Sequence, residues 1–357
     1  MSKNALAAMS GGVDSSVAAY LAIESGLNVV GATMKLYDNG TVSCNAKTCC
    51  SQKDIEDARN VCYKLGIRYL VLNFEADFEK EVIRPFVYAY ENGDTPNPCI
   101  RCNHSMKFGK LSRRAREMGQ DFVVTGHYAR IEYDSDAERY FLRKGIDPKK
   151  DQSYVLYQMT QEDLAHTLFP LGGMTKPETR EIAASLGLVT ASKRESQDIC
   201  FVPDGDYAAF IRRYTGKEYP PGDFVDREGH VLGRHQGLIR YTRGQGRHLG
   251  LSLTHRMYVL EKDYEKNQIV LGENEDLFTK DLTAKDMNWI IKEPSGPMKV
   301  SARVRYSQKE SPATAWPLEA GRMKLEFENT ERAITPGQAV VLYDGDYVVG
   351  GGTIESV

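Results

Sequence analysis

Two sets of residues in this 357-residue chain have the types and spacing that do chemistry. The first is Ser10-Gly11-Gly12-Val13-Asp14-Ser15-Ser16, between the apolar run Ala5 to Met9 and a helical pattern from Ser15 to Glu24. Paired glycines let backbone N–H groups come close to an anion. A helix start adds unpaired N–H groups and a positive dipole end. Ser10, Ser15 and Ser16 add hydroxyl donors. The loop lacks the Gly-Lys-Ser/Thr ending of a Walker loop and the G-x-G-x-x-G spacing of a dinucleotide site, so it cradles phosphate in another way. The second set is the seven cysteines, Cys44, Cys49, Cys50, Cys62, Cys99, Cys102 and Cys200. An odd number crowded into the first 200 residues is no secreted disulfide framework. Cys62 sits inside a helical pattern and reads as a small core hydrophobe. Cys102 and Cys200 lie in polar stretches beside Asn or Asp and read as working thiols. Cys44, Cys49 and Cys50 have no nearby His or Cys pair to complete a tetrahedral zinc set, and they read as loop thiols.

The surrounding pattern says what must hold these residues. Buried strands are expected at Ala5 to Met9, Val29 to Met34, Tyr69 to Leu72 and Phe122 to Thr125. They alternate with helices at Ser15 to Glu24, Asp54 to Leu65, Phe78 to Tyr90 and Lys107 to Met118. That alternation indicates a doubly wound parallel α/β sheet. Tyr37 to Lys53 and Gly93 to His104 read as long loops at the carboxyl ends of the strands, where such sheets bind ligands. Past Pro203 short strand-like runs alternate with Gly-rich turns. From about Leu277 the chain reads as a small β-barrel, with a hairpin turn at Asp344-Gly345. Alternation puts Val300, Ala302, Val304 and Tyr306 on one strand face and Ser301, Arg303 and Arg305 on the other. The expected division is a catalytic domain at 1–205, a small central domain at 206–276 and a barrel at 277–357.

Composition narrows the function classes. A formal net charge of −3 excludes a polycation, so any nucleic-acid contact must use local basic patches. Arg303 with Arg305 is one such patch. Arg212-Arg213, Arg240, Arg243 and Arg247 offer a backbone track in the central segment. With no apolar stretch of about 18 residues, no membrane span is expected. A short N-terminal run that leads straight into the glycine loop suggests a cytoplasmic protein.

The glycine loop resembles the PP-loop of ATP pyrophosphatases, which cut ATP between the α and β phosphates. Further matches run along the chain: Cys49-Cys50-Ser51, Thr95-Pro96-Asn97-Pro98 with Cys102-Asn103, Thr125 to Arg130, Lys150 to Tyr154, Ser196 to Phe201 and Pro336-Gly337-Gln338. Together they resemble the tRNA-specific 2-thiouridylase family. That resemblance implies ATP-dependent 2-thiolation of the wobble uridine of tRNA, through adenylation of the uracil C2 oxygen. It implies that Cys200 receives sulfur as a persulfide from a cysteine desulfurase or sulfur-relay protein, and that Cys102 resolves it with formation of a Cys102–Cys200 disulfide. It places ATP along Ala8, Met9, Ser10, Gly11, Gly12, Val13, Asp14 and Ser15, with Met34 near the adenine and Gly126 closing the pocket. Asp14 would assist Mg²⁺ or hold the loop. Asn97, Pro98 and Cys99 match the target-base loop. His127, Lys150, Asp151, Gln152, Arg305, Tyr306 and Gln338 match contacts to the tRNA anticodon arm. Some members carry Asp where this chain has Cys99. Cys99, Cys102 and Cys200 then offer three thiolates, enough to hold a [4Fe–4S] cluster with one open iron, which would deliver sulfide without a protein persulfide. Two other readings stay open: a PP-loop ligase using ammonia on a small molecule, and a non-enzymatic RNA-binding or metal-sensing protein.

Overall fold

The protein is described here from a computed structural model, over residues 2–37, 52–193, 199–202 and 204–357. The expectations for Cys44, Cys49, Cys50 and Ser51, and for Ser196 to Asp198, lie outside the described residues. Strands β1 (Asn4–Ala8), β2 (Asn28–Lys35), β3 (Arg68–Asn73) and β4 (Phe122–Val124) form as expected. With the short β7 (Thr167–Leu168) they make a parallel sheet in the order β3-β2-β1-β4-β7. Alternate residues of β1 feed two layers. Ala5 and Ala7 pack under α1 (Val13–Glu24) and α2 (Gln52–Lys64), while Leu6 faces Leu111 and Ala115 on the other side. Sheets buried on both faces need such near-continuous apolar strands.

Two elements depart from expectation. The stretch expected as a loop to His104 is helical from Pro98. Asn97 accepts the Cys99 N–H at 3.1 Å as N-cap, and Pro98 takes the first helical turn. The helix runs through a π-helical stretch at Cys102–Leu111 to Ser112–Glu117. Long π stretches are rare and concentrate at functional sites. The second departure is an antiparallel hairpin, β5 (Ala129–Asp134) with β6 (Arg139–Lys144), which leaves the first sheet altogether.

The central part is a four-stranded sheet in the order β10-β11-β8-β9, from β8 (Gly222–Val225), β9 (Val231–His235), β10 (Tyr258–Asp263) and β11 (Gln268–Gly272). The C-terminal part is the expected barrel. Its strands are β12 (Phe278–Trp289), β13 (Met298–Arg303), β14 (Ser311–Leu318), β15 (Arg322–Arg332), β16 (Ala339–Asp344) and β17 (Tyr347–Ser356). The ring closes because β12 pairs with both β15 and β17. The Asp344-Gly345 turn joins β16 to β17, with Gly345 at φ 55°. The β5–β6 hairpin extends this barrel sheet at β17, where Tyr347 pairs with Arg143. Among the described residues no helix is long and apolar enough to cross a membrane.

Candidate active site

The glycine loop bridges β1 and α1. Gly11 has φ 69°, and a Cβ there would fall 2.3 Å from the Asp54 carbonyl oxygen, so the position takes only glycine. Gly12 caps α1 in extended conformation, and no side chain accepts from the first-turn N–H groups. Those amides are the donors available to an anion. The hydroxyls are bonded within the turn. Ser15 and Ser16 donate to the Gly12 carbonyl at 3.1 and 2.8 Å, and Ser15 Oγ accepts from the Ser10 N–H. They shape the turn rather than project into it.

Two lysines that no local pattern announces lock this loop. Lys176, buried at the start of a helix, donates to both oxygens of Asp14 at 2.7 and 2.8 Å. The Tyr128 hydroxyl adds a bond to Asp14 at 2.9 Å. Lys193 donates to the Gly11 carbonyl at 2.8 Å, to Asp54 at 2.6 Å and to Asp57 at 2.5 Å. Burial pulls its pKa down, but the two carboxylates more than offset this and raise it, so the ammonium form persists. Gly126 faces the same turn, where a Cβ would lie 2.7 Å from the Asp14 carbonyl carbon and 2.8 Å from the Ser15 nitrogen. Asp14 is therefore seated as a brace of the loop.

The two thiols stand on one apolar layer. Cys102 and Cys200 both pack against the cluster built from Leu36, Tyr37, Phe78, Phe86 and Phe201. Met34 and Phe74 touch that cluster and also the one beneath Ala8, which ends β1. Two segments far apart in sequence thus share a cluster with Met34, near the end of β2. The Tyr37 hydroxyl donates to the Cys200 carbonyl at 3.0 Å and fixes the segment that bears the thiol. Cys99 is exposed one helical turn before Cys102. Cys62 is buried, and burial pushes its thiol up to about 12, as befits a core residue.

The residues matched to RNA contacts fall into two groups. Tyr306 is exposed, with 45% of its surface accessible, and does not continue the buried face of Val300, Ala302 and Val304, because β13 ends at Arg303. Gln338 donates to the Thr95 carbonyl, and the Thr95 N–H donates to Pro336, so the Asn97–Cys99 turn is docked on the barrel. Lys150 is partly exposed. The others face inward. Asp151 accepts from the Gly145 and Ser153 N–H groups. Gln152 accepts the Tyr128 N–H at 3.0 Å. His127 lies between Thr125 Oγ1 at 2.7 Å and Lys107 Nζ at 3.3 Å. Burial, then the Lys107 charge, holds its pKa well below the usual histidine value, so it is neutral near pH 7. The expected Arg303–Arg305 phosphate patch is largely spent. Arg303 pairs with Glu310 at 2.8 Å and Asp151 at 3.4 Å, and Arg305 donates to the Arg332 and Ala333 carbonyls.

Family models match three consecutive stretches: "tRNA methyl transferase HUP domain" at 3–204, "tRNA methyl transferase PRC-barrel domain" at 208–273 and "Aminomethyltransferase beta-barrel domain" at 279–354. The chain is 49% identical over 356 residues to the tRNA-specific 2-thiouridylase MnmA of Acetivibrio thermocellus, covering 99% of each. It is 52% identical over 354 residues to that of Moorella thermoacetica, again covering 99% of each. The chain belongs to the MnmA family. Among solved structures it is similar to a 4-thiouridine synthetase–RNA complex with bound ATP, at 20% identity and a TM-score of 0.36, over 59% of this chain and 50% of that one. MnmA relatives match along the whole chain, barrel and central sheet included, so the three parts belong to one conserved plan.

Proposed function

We propose that the protein is an ATP-dependent tRNA 2-thiolase acting on the wobble uridine. The observation that carries this reading is that Cys102 and Cys200, 98 residues apart, pack against one apolar cluster in a chain whose first helix opens on an uncapped glycine turn. Kinship with enzymes named tRNA-specific 2-thiouridylase supplies the substrate.

The chemistry follows from the groups present. The uracil O2 attacks the α-phosphorus of ATP, pyrophosphate leaves, and C2 becomes electrophilic with AMP as its leaving group. The first-turn amides of α1 hold the phosphates. A Mg²⁺ ion entering with ATP would neutralise phosphate charge. Both Asp14 oxygens already accept from Lys176, which favours the loop-holding role over ligation. The terminal sulfur of a Cys200 persulfide attacks C2 and AMP leaves. The Cys102 thiolate then attacks the Cys200 sulfur, which frees thiouridine and leaves a Cys102–Cys200 disulfide for an external thiol to reduce. ATP binds along Ala8 to Ser15, with Met34 at the adenine and Gly126 as the opposite wall. The target base enters beside Asn97, Pro98 and Cys99, out of its stack. Gln338 holds the Thr95 segment that leads into that turn, and Lys150, Tyr306, His127, Asp151, Gln152 and Arg305 would complete the contacts to the anticodon arm.

Exposed Cys99, one turn from Cys102, supports a second route for the sulfur. Cys99, Cys102 and Cys200 would be the three ligands of a [4Fe–4S] cluster, which would supply an open iron for sulfide. Tandem tests separate the routes. Cys200→Ser should abolish 2-thiouridine, measured by nucleoside mass spectrometry, yet retain tRNA-dependent pyrophosphate release. Full thiolation by that variant would refute the role of Cys200. Iron and sulfide near zero after anaerobic reconstitution would exclude the cluster route.

A further inference from the structure

Arg303 and Arg305, expected to meet phosphate, are engaged inside the protein, yet four others converge on a cleft elsewhere. The cleft encloses about 1150 Å³ where the central sheet, the segment that follows Cys200 and the barrel meet. Arg240, Arg247 and Arg256 come from the central domain, and Arg332 comes from the end of β15. Nearby Arg227 and Arg234 are each paired, with Asp276 and Asp223. None of the four cleft arginines has an ion pair among the described residues. Asp204 and Asp206 also line the cleft, but each turns an oxygen to a backbone N–H, of Asp206 at 3.2 Å and Ala209 at 2.8 Å. The cleft is therefore net positive.

Two guanidiniums are already aimed. Arg256 and Arg332 stand over the Tyr258 ring at 5.3 and 4.9 Å from its centroid, and Arg332 is steadied by Asn274 at 2.8 Å. Stacked guanidiniums keep their planar N–H forks for bidentate contact with phosphate. The Gly244-Gln245-Gly246 turn also lines the cleft, with Gly244 at φ 83° packed on Ala333 and Gly246 packed on the Tyr258 ring.

We infer that this cleft grips the sugar-phosphate backbone of the tRNA substrate, a few nucleotides from the base that reacts. The inference rests on the tRNA-thiolation reading above and names the grip that reading lacks. Position favours tRNA as the occupant. Asp204 is four residues beyond Cys200, so the wall lies within about 14 Å of the thiol along the chain. That is roughly four stacked nucleotides at about 3.4 Å each. A ligand held here and a base at Cys200 fit on one strand. Arg240 and Arg247 belong to the track anticipated from sequence. Arg243 does not: it donates inward to the Leu260 carbonyl at 2.5 Å. Arg256 and Arg332 replace it.

The test uses the full chain and unmodified tRNA, with fluorescence anisotropy at several KCl concentrations. Arg247 and Arg256 are exposed, so Arg247→Gln with Arg256→Gln should fold normally. The double variant should weaken tRNA binding at least tenfold and lower the slope of log Kd against log salt by roughly one per arginine removed. Arg234→Gln, outside the cleft, should change neither. Unchanged affinity and slope in the double variant, with wild type still thiolating tRNA, would overturn the cleft alone. Wild type that neither binds nor thiolates tRNA would instead overturn the function on which it rests. Full tRNA affinity with loss of sulfur uptake from a persulfide-bearing protein, but not from free sulfide, would reassign the cleft to a protein donor and overturn the RNA grip.

Discussion

Single atoms set the nucleotide loop. Gly126→Ala would drive a methyl to 2.7 Å from the Asp14 carbonyl carbon and push the first turn of α1 aside. The expected outcome is a rise of at least tenfold in KM for ATP, measured by pyrophosphate release. Gly173→Ala, which meets nothing within 4 Å, should be silent. Lys176→Met leaves Asp14 only its bond from the Tyr128 hydroxyl and removes the charged partner of a mostly buried pair, which should cost about 2 kcal/mol, less than a fully buried pair because Asp14 stays partly exposed. Asp14→Asn should recover part of that loss in chemical denaturation, because the unpaired charge is then gone. At this scale the sequence was readable where chemistry is local. Two adjacent glycines at the start of a helix announce an anion loop by themselves. Lys176 and Lys193 were not readable, because their partners lie 162 and 182 residues away and no periodicity marks the pairing.

Elements place the two thiols on one apolar cluster. Asn97 and Pro98 read as loop residues, yet together they are an N-cap and a first-turn proline, and both signals were present in the chain. A run of Thr, Pro and Asn punctuates a turn as readily as it opens a helix, and only the downstream packing of Ile100, Met106 and Phe108 decides between them. Asn97→Ala removes the bond to the Cys99 N–H and should lower stability by about 1 kcal/mol. Asn97→Asp keeps an acceptor and should hold the melting temperature within a degree or so of wild type. A loss as large for Asp as for Ala would show that the cap contributes nothing. The four buried strands were legible because burial on both faces demands unbroken apolar runs. The β5–β6 hairpin was not, because its pairing partner, β17, lies 200 residues further on and strand alternation does not name a neighbour.

At the scale of the whole molecule, three parts meet at one buried amine. Lys262 on β10 reaches toward Asp94, which precedes the target-base turn, and Asp94 also feels Lys285 on the barrel. Gly337 of the barrel abuts Asp94 and Thr95, and Tyr264 donates to the Tyr90 carbonyl at 3.2 Å. The Lys262 nitrogen is buried without a hydrogen-bond partner among the described residues. Burial lowers its pKa to about 8, against the pull of Asp94. The same burial raises Asp94. The sign follows from linkage. The unfolded lysine keeps its proton to about pH 10, while the folded one releases it near 8. Below pH 8 both states are charged and the folded state bears the full desolvation cost, on the order of 3 kcal/mol. Between about 8 and 10 the folded amine is neutral and that cost fades, so this site adds stability as pH rises. Lys262→Met keeps the stem's packing and removes the charge. It should raise the melting temperature at pH 7 by several degrees, and calorimetry at pH 7, 8.5 and 10 should show the gain shrinking toward zero. A gain independent of pH would show that the amine is not the source, and a loss at pH 7 would show that the Asp94 pair outweighs burial in joining the three parts.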